Sequence, residues 1–241
     1  MNRWKAVGLF FLIIAIGCIS LWTLIATSDG GDMTQFKIKP TDNLAAKKKQ
    51  KVSVDWEKLQ SQNPDAYAWL HVPGTEIDYP VLQSGNVPED YYLHHNLYRQ
   101  YSFAGSIYSR RQNAKDFSDK ITVLYGHNMI NGSMFADIRK FEHPDFFRKH
   151  SEFFIYMPGR ILRYRIVAYH VSDAEDILAT YQANNDDGYK VYADKIKQSG
   201  NIRKEEKIEA DDSIVTLSTC DSADSRRRLL QGVLAETQTT K

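Results

Sequence analysis

From Ile121 onward the apolar residues of this chain come in short blocks, and few blocks are long enough for a helix. Ile121–His127, Glu152–Met157, Arg163–Val171, Asp212–Cys220 and Arg227–Ala235 are each rich in β-branched and aromatic residues, and turn-forming residues separate them. Blocks of this length and spacing read as strands of an all-β barrel or sandwich. Two earlier segments, HVPGTEIDYPVLQ and Gly105–Ser109, extend the pattern towards the N-terminus. Helical interruptions are expected at Ser133–Lys140 and at about Asp187–Gln198, where Tyr189, Tyr192, Ala193 and Ile196 fall on one face. Between Val54 and Leu70, Trp56, Leu59, Tyr67 and Leu70 suggest two short helices broken at Asn63-Pro64.

The N-terminus follows a different rule. Ala6–Thr27 contains no charged residue, and about 20 apolar residues suffice to cross a bilayer as a helix. Arg3 and Lys5 precede the run, and Trp4 and Trp22 stand near its ends as interfacial anchors do. A cleaved signal peptide is the other reading, but its apolar core is usually only about 7–15 residues. Residues 1–5 then form a cytoplasmic N-terminus, 6–27 a transmembrane signal anchor, 28–52 a polar flexible stalk and 53–241 one β-rich domain. Lys47-Lys48-Lys49-Gln50-Lys51 lies on the far side of the anchor. That is at the limit of the positive-inside bias, so an extracellular domain remains the expectation.

Composition narrows the function. A net charge of +1 gives no reason to expect a nucleic-acid partner. No HExxH, CxxC or ligand-spaced histidine cluster occurs, so no metal or organic cofactor is expected. The two cysteines are Cys18, inside the apolar run, and Cys220. The β-domain therefore has one thiol and no internal disulfide.

If Asp212–Cys220 is extended, Ile214, Thr216, Ser218 and Cys220 share one face, with Val215 and Leu217 on the other. Cys220 then ends its strand beside the polar loop Asp221–Ser225. Alone, such a cysteine is more often a small buried hydrophobe than a nucleophile. His127 likewise leaves a strand at a glycine turn, and the Arg226-Arg227-Arg228 triplet by itself reads as a solvated turn. Taken together, a thiol, an imidazole and a guanidinium supply a nucleophile, a proton-transfer partner and an oxyanion stabiliser.

The sequences carrying these groups are specific. LYGHN upstream, and TLSTC followed by arginine and an apolar strand, resemble the sortases, most closely those of class B. NPDAYAWLHVPGTEIDYPVLQ is similar to the amino-terminal segment of that class, GSIYSRR to its next strand, and SMFADIRKF to the helix after the histidine. The insertion near Asp187–Gln198 also resembles a class B elaboration, and the likeness runs from about Val54 to Leu234.

The resemblance implies a closed β-barrel with peripheral helices. It makes Cys220 the nucleophile and His127 the general acid/base. For the arginine, an apolar stretch running to a small residue, Gly232, sets a register that gives Arg227, whereas counting straight from Cys220 permits Arg228. Ser218, Asp221, Thr180 and Tyr181 resemble positions near the substrate. The implied activity is transpeptidation: a sorting motif near the C-terminus of a secreted protein is cleaved through a thioester. The acyl group then passes to a peptidoglycan cross-bridge amine, or to a pilin lysine. A cysteine peptidase and a membrane-tethered wall-binding module are the alternatives.

Overall fold

In the computed structural model, residues 33–38, 53–182, 184–199, 202–203, 207–220 and 225–240 are described. The expected anchor, Ala6–Thr27, lies outside them, as does Asp221. Among the described residues no helix is long and apolar enough to cross a membrane.

The short apolar blocks form strands. In chain order these are β1 (Ala66–His71), β2 (Asp78–Leu82), β3 (Ile107–Tyr108), β4 (Ile121–Tyr125), β5 (Glu152–Met157), β6 (Arg160–Asp173), β7 (Ile202–Arg203), β8 (Ile214–Cys220) and β9 (Arg226–Thr239). They hydrogen-bond in the order β5-β1-β2-β3-β4-β8-β9-β6-β7, and β5 also pairs with β6. That last pairing closes eight strands into a barrel, with β7 appended to β6. Closure removes the exposed edges that an open sheet would present. The expected mainly-β barrel with peripheral helices is what the chain adopts.

Among the described residues four α-helices lie around it: α1 (Trp56–Gln62), α2 (Pro144–Lys149), α3 (Ile177–Tyr181) and α4 (Asp186–Gln198). In α4, Tyr189, Tyr192, Ala193 and Ile196 are the buried residues, as their spacing predicts. Asn185 caps α4 by accepting from the backbone N–H groups of Asp187 and Gly188.

Two expectations fail locally. The second helix predicted after Asn63-Pro64 is instead strand β1, buried along Ala66–Leu70. With both faces covered, β1 has no polar side to set a period of two, so a continuous apolar run is ambiguous by pattern alone. The helix predicted at Ser133–Lys140 is a 3-10 segment shifted to Ala136–Glu142. Within the stretch read as a polar stalk, Met33–Phe36 form a 3-10 turn whose Phe36 is buried, and Lys37 bridges to Val54.

The core is layered. Inside the barrel, Leu70, Leu124, Val215, Leu217 and Leu230 pack around the stacked rings of Phe153 and Tyr164, whose centroids are 5.0 Å apart. A Cβ on Gly232 would come within 2.4 Å of the Phe153 ring, so that position must stay bare. Outside, α3 and α4 cover Ile121, Val123, Ile214, Leu229 and Val233. A third cluster joins Phe36, Leu59, Trp69 and Tyr92 at the base of the loop that precedes β3.

Candidate functional site

Strand pairing brings the three predicted groups to one end of the sheet. β4 and β8 run parallel, with Tyr125 beside Ser218, and the next amide, Gly126 N–H, donates to the Ser218 carbonyl at 3.2 Å. β4 ends at Tyr125, so His127 follows it by two residues, as Cys220 follows Ser218 by two residues on β8. On the other side of β8, the antiparallel partner β9 sets Arg227 opposite Cys220 and Arg228 opposite Thr219. Cys220 thus ends β8, Arg227 lies near the start of the neighbouring β9, and His127 lies two residues past the end of the other neighbour, β4.

The two arginines belong to opposite faces. Directly opposed residues of an antiparallel pair share a face, and successive residues alternate. Val215 and Leu217 point into the barrel, so Thr216, Ser218 and register position 220 face outwards, and Arg227 does so too. Arg228 lies on the other face, where its Nη1 donates to the Tyr169 hydroxyl at 2.7 Å and to Glu142 at 3.0 Å. Arg227 is half-buried, and its Nη1 donates to the Arg226 carbonyl at 3.0 Å.

His127 is held from behind. Its Nε2 is 2.9 Å from the Leu93 carbonyl, which can only accept, so Nε2 carries the proton and neutral His127 keeps its lone pair on Nδ1. Phe103 stacks almost parallel to the imidazole at 5.9 Å, and His94 lies 5.5 Å away. Burial lowers the pKa of His127 below the usual imidazole range, and His94 adds to this, while the Leu93 carbonyl acts in the opposite sense. The ring is thereby biased towards its neutral form.

The remaining candidates differ in placement. Ser218 is buried on the outward face of β8. Thr180 and Tyr181 precede the larger inserted helix as expected, but they belong to a short helix of their own, α3. Thr180 is exposed, whereas Tyr181 is buried, with its hydroxyl donating to Glu175 and accepting from Lys195 at 3.0 Å. Sequence reasoning missed the parts that act through geometry: the Leu93 carbonyl, Phe103, and an Arg110 that stacks 4.9 Å above the Tyr125 ring while pairing with Asp176 at 2.6 Å. Asp176 also caps α3. A backbone carbonyl leaves no mark in a sequence. The aromatic and histidine-rich segment Tyr91–Phe103 was the visible hint.

This site sits in a chain with clear relatives. The family model for the sortase domain matches residues 70–235. Sortase B of Listeria monocytogenes is 39% identical over 190 residues, spanning 73% of this chain and 72% of that protein. Among solved structures, sortase B of Clostridium perfringens superposes with a TM-score of 0.68 at 30% identity, covering 75% of this chain and 99% of the other. A Staphylococcus aureus sortase B–substrate complex gives 0.66 at 25% identity, covering 76% and 85%. With its barrel, the ends of β4, β8 and β9, and these likenesses all in agreement, the chain belongs to the sortase family of transpeptidases and is similar to its class B members.

Proposed function

We propose that this protein is a membrane-tethered sortase whose catalytic domain lies outside the cell, with Cys220 as nucleophile, His127 as general acid/base and Arg227 as oxyanion stabiliser. Residues 1–5 form the cytoplasmic end, 6–27 the anchor, 28–52 the connection and 53–241 the catalytic domain. The observation that supports the assignment is the pairing of β8 with both β4 and β9, which sets Arg227 opposite Cys220 and has His127 follow the end of the neighbouring β4.

Catalysis runs in two halves. His127 Nδ1 takes the proton of the Cys220 thiol. The resulting thiolate adds to a backbone carbonyl of a sorting motif near the C-terminus of a secreted protein, and Arg227 stabilises the oxyanion that forms. The C–N bond breaks as His127 delivers its proton to the departing amine, leaving a thioester on Cys220. An incoming amine from a peptidoglycan cross-bridge, or from a pilin lysine, then attacks the thioester. His127 takes the amine's proton, the C–S bond breaks, and a new amide leaves. No metal or organic cofactor enters this chemistry. Ser218, Asp221, Thr180 and Tyr181 are assigned to the substrate side of the site; the buried Tyr181 acts by holding α3 and α4 in place. The substrate complex of Staphylococcus aureus sortase B supports substrate recognition by this fold.

The test is a peptide-library cleavage screen with and without a glycine-oligomer acceptor. The expected result is a released C-terminal fragment together with an acceptor-linked product. Hydrolysis alone, at a rate indifferent to acceptor, would make the protein a cysteine peptidase. A Cys220 inert to small alkylating reagents, with no cleavage of any peptide, would make it a wall-binding module.

A further inference from the structure

We infer that Asn63, Tyr92 and Asp65 form a buried frame that positions His127, acting through the backbone carbonyl of Leu93. The inference rests on the catalytic reading of His127 but concerns residues which that reading leaves unused. Tyr92 and Asn63 are fully buried. The Asn63 Nδ2 donates to the Tyr92 hydroxyl at 2.9 Å and to the Leu97 carbonyl at 2.9 Å. The Tyr92 hydroxyl in turn donates to Asp65 Oδ2 at 2.7 Å. Asn63 Oδ1 closes the ring by accepting from the Asp65 backbone N–H at 3.0 Å. Burial, reinforced by the Asp65 hydrogen bond, pushes the Tyr92 phenol up to about 12, so it remains a donor throughout the working range.

The next residue after Tyr92 is Leu93, whose carbonyl meets His127 Nε2. The Tyr92 carbonyl is tied separately by the Ser106 N–H at 2.8 Å. From the far side Gly105, at φ +61°, packs so closely that a Cβ there would sit 2.2 Å from the Leu93 oxygen. The backbone on both sides of Leu93 is therefore held, by the side-chain frame at Tyr92, by the hydrogen bond to the Tyr92 carbonyl and by the Gly105 wall against the Leu93 oxygen. A third group that orients the base of a nucleophile–base pair fixes its tautomer and its aim. In most such sites that group is a side chain. Here it is a main-chain carbonyl, and the frame gives it the rigidity that a loop carbonyl otherwise lacks.

The test uses the full-length protein labelled with 15N-histidine. In the wild type, His127 should show the Nε2–H tautomer. Tyr92→Phe, which keeps the ring and deletes the hydroxyl, should give a mixture of tautomers. Its kcat should fall about tenfold with KM within about twofold, the pattern of a misaligned catalytic group. Asn63→Ala should act in the same direction, while Asp65→Asn, which keeps an acceptor for the phenol, should behave as wild type. His94 is the titratable neighbour whose own signal must be assigned apart from that of His127. A folded Tyr92→Phe protein and a folded Asn63→Ala protein that both keep the wild-type tautomer and kcat would overturn the inference. A normal turnover in His127→Ala would instead remove the catalytic reading, and the tautomer measurement would still decide whether the frame positions the ring.

Discussion

The two faces of β8 are built by different means. Inward, Val215 and Leu217 join a barrel core held almost wholly by apolar packing. Outward, α3 and α4 lie over Ile214, Thr216 and their neighbours, and a set of polar ties is added to the apolar contact there. The Tyr192 hydroxyl and Thr216 Oγ1 are 2.8 Å apart, Asn184 donates to Asp119 at 2.9 Å, Lys120 pairs with Asp186 at 2.6 Å, and Glu175 accepts from Lys195 and Tyr181. Close packing fixes strand register because any slip reverses which face each side chain takes. The inner face therefore sets where His127, Cys220 and Arg227 stand, and the outer face determines what surrounds them. Activity and stability should accordingly separate between the two faces.

Substitution can break that separation or sharpen it. The largest effect should come from Cys220→Ala, with turnover abolished and the melting temperature within a few degrees of wild type. His127→Ala should follow, with a loss of about 10²–10⁴-fold. Residual activity in the cysteine variant, or a loss below tenfold in the histidine variant, measured by peptide cleavage, would remove those roles. Next, Arg227→Ala should lower kcat by about 10²–10³-fold without changing stability. Arg228→Ala should leave turnover near wild type and cost about 1–3 kcal/mol in denaturant unfolding, because it strips partners from Tyr169 and Glu142. The reverse ranking would exchange the two faces.

On the inner side, Leu217→Ala should destabilise by about 2–5 kcal/mol through an unfilled cavity. Its kcat should stay close to wild type under conditions where the protein is folded.

The smallest effect concerns His170, buried on the outward side next to Lys195. Burial, with the positive charge of Lys195, drops its pKa to about 4 from an unfolded value near 6.5. A folded pKa below the unfolded one means that the unfolded chain binds more protons between these values. Stability should therefore be complete above pH 6.5 and decline as pH falls towards 4, by roughly 2–3 kcal/mol. His170→Gln should flatten that window in urea titrations; an unchanged slope would show that the ring is not kept neutral.

Legibility from sequence followed the same division between faces. Strands with turn residues at both ends, such as Glu152–Met157, were readable to the residue. So was the buried stripe of α4, because its period is set by a single apolar face. Strand β1 was not, since a segment buried on both sides carries no alternation. The thiol, the imidazole and the guanidinium could be nominated because their chemistry is written in side chains, and the family resemblance, through the spacing to Gly232, pointed to Arg227. What orients them is backbone and packing: the Leu93 carbonyl, the bare Gly105 and the Asn63–Tyr92–Asp65 frame. In one dimension Asn63 looked only like a helix breaker before proline.

The parallel pairing of β4 with β8 has a consequence for the newly made protein. A parallel neighbour requires a long return path, and here that path carries β5, β6 and the inserted helices before β8 can slot in. His127 is synthesised early, whereas Cys220 and Arg227 come close to the end of the chain. Contacts so distant along the polypeptide form late. A nascent molecule therefore carries the imidazole well before the thiol and the guanidinium, and the enzyme stays inert until β8 and β9 dock and close the ring.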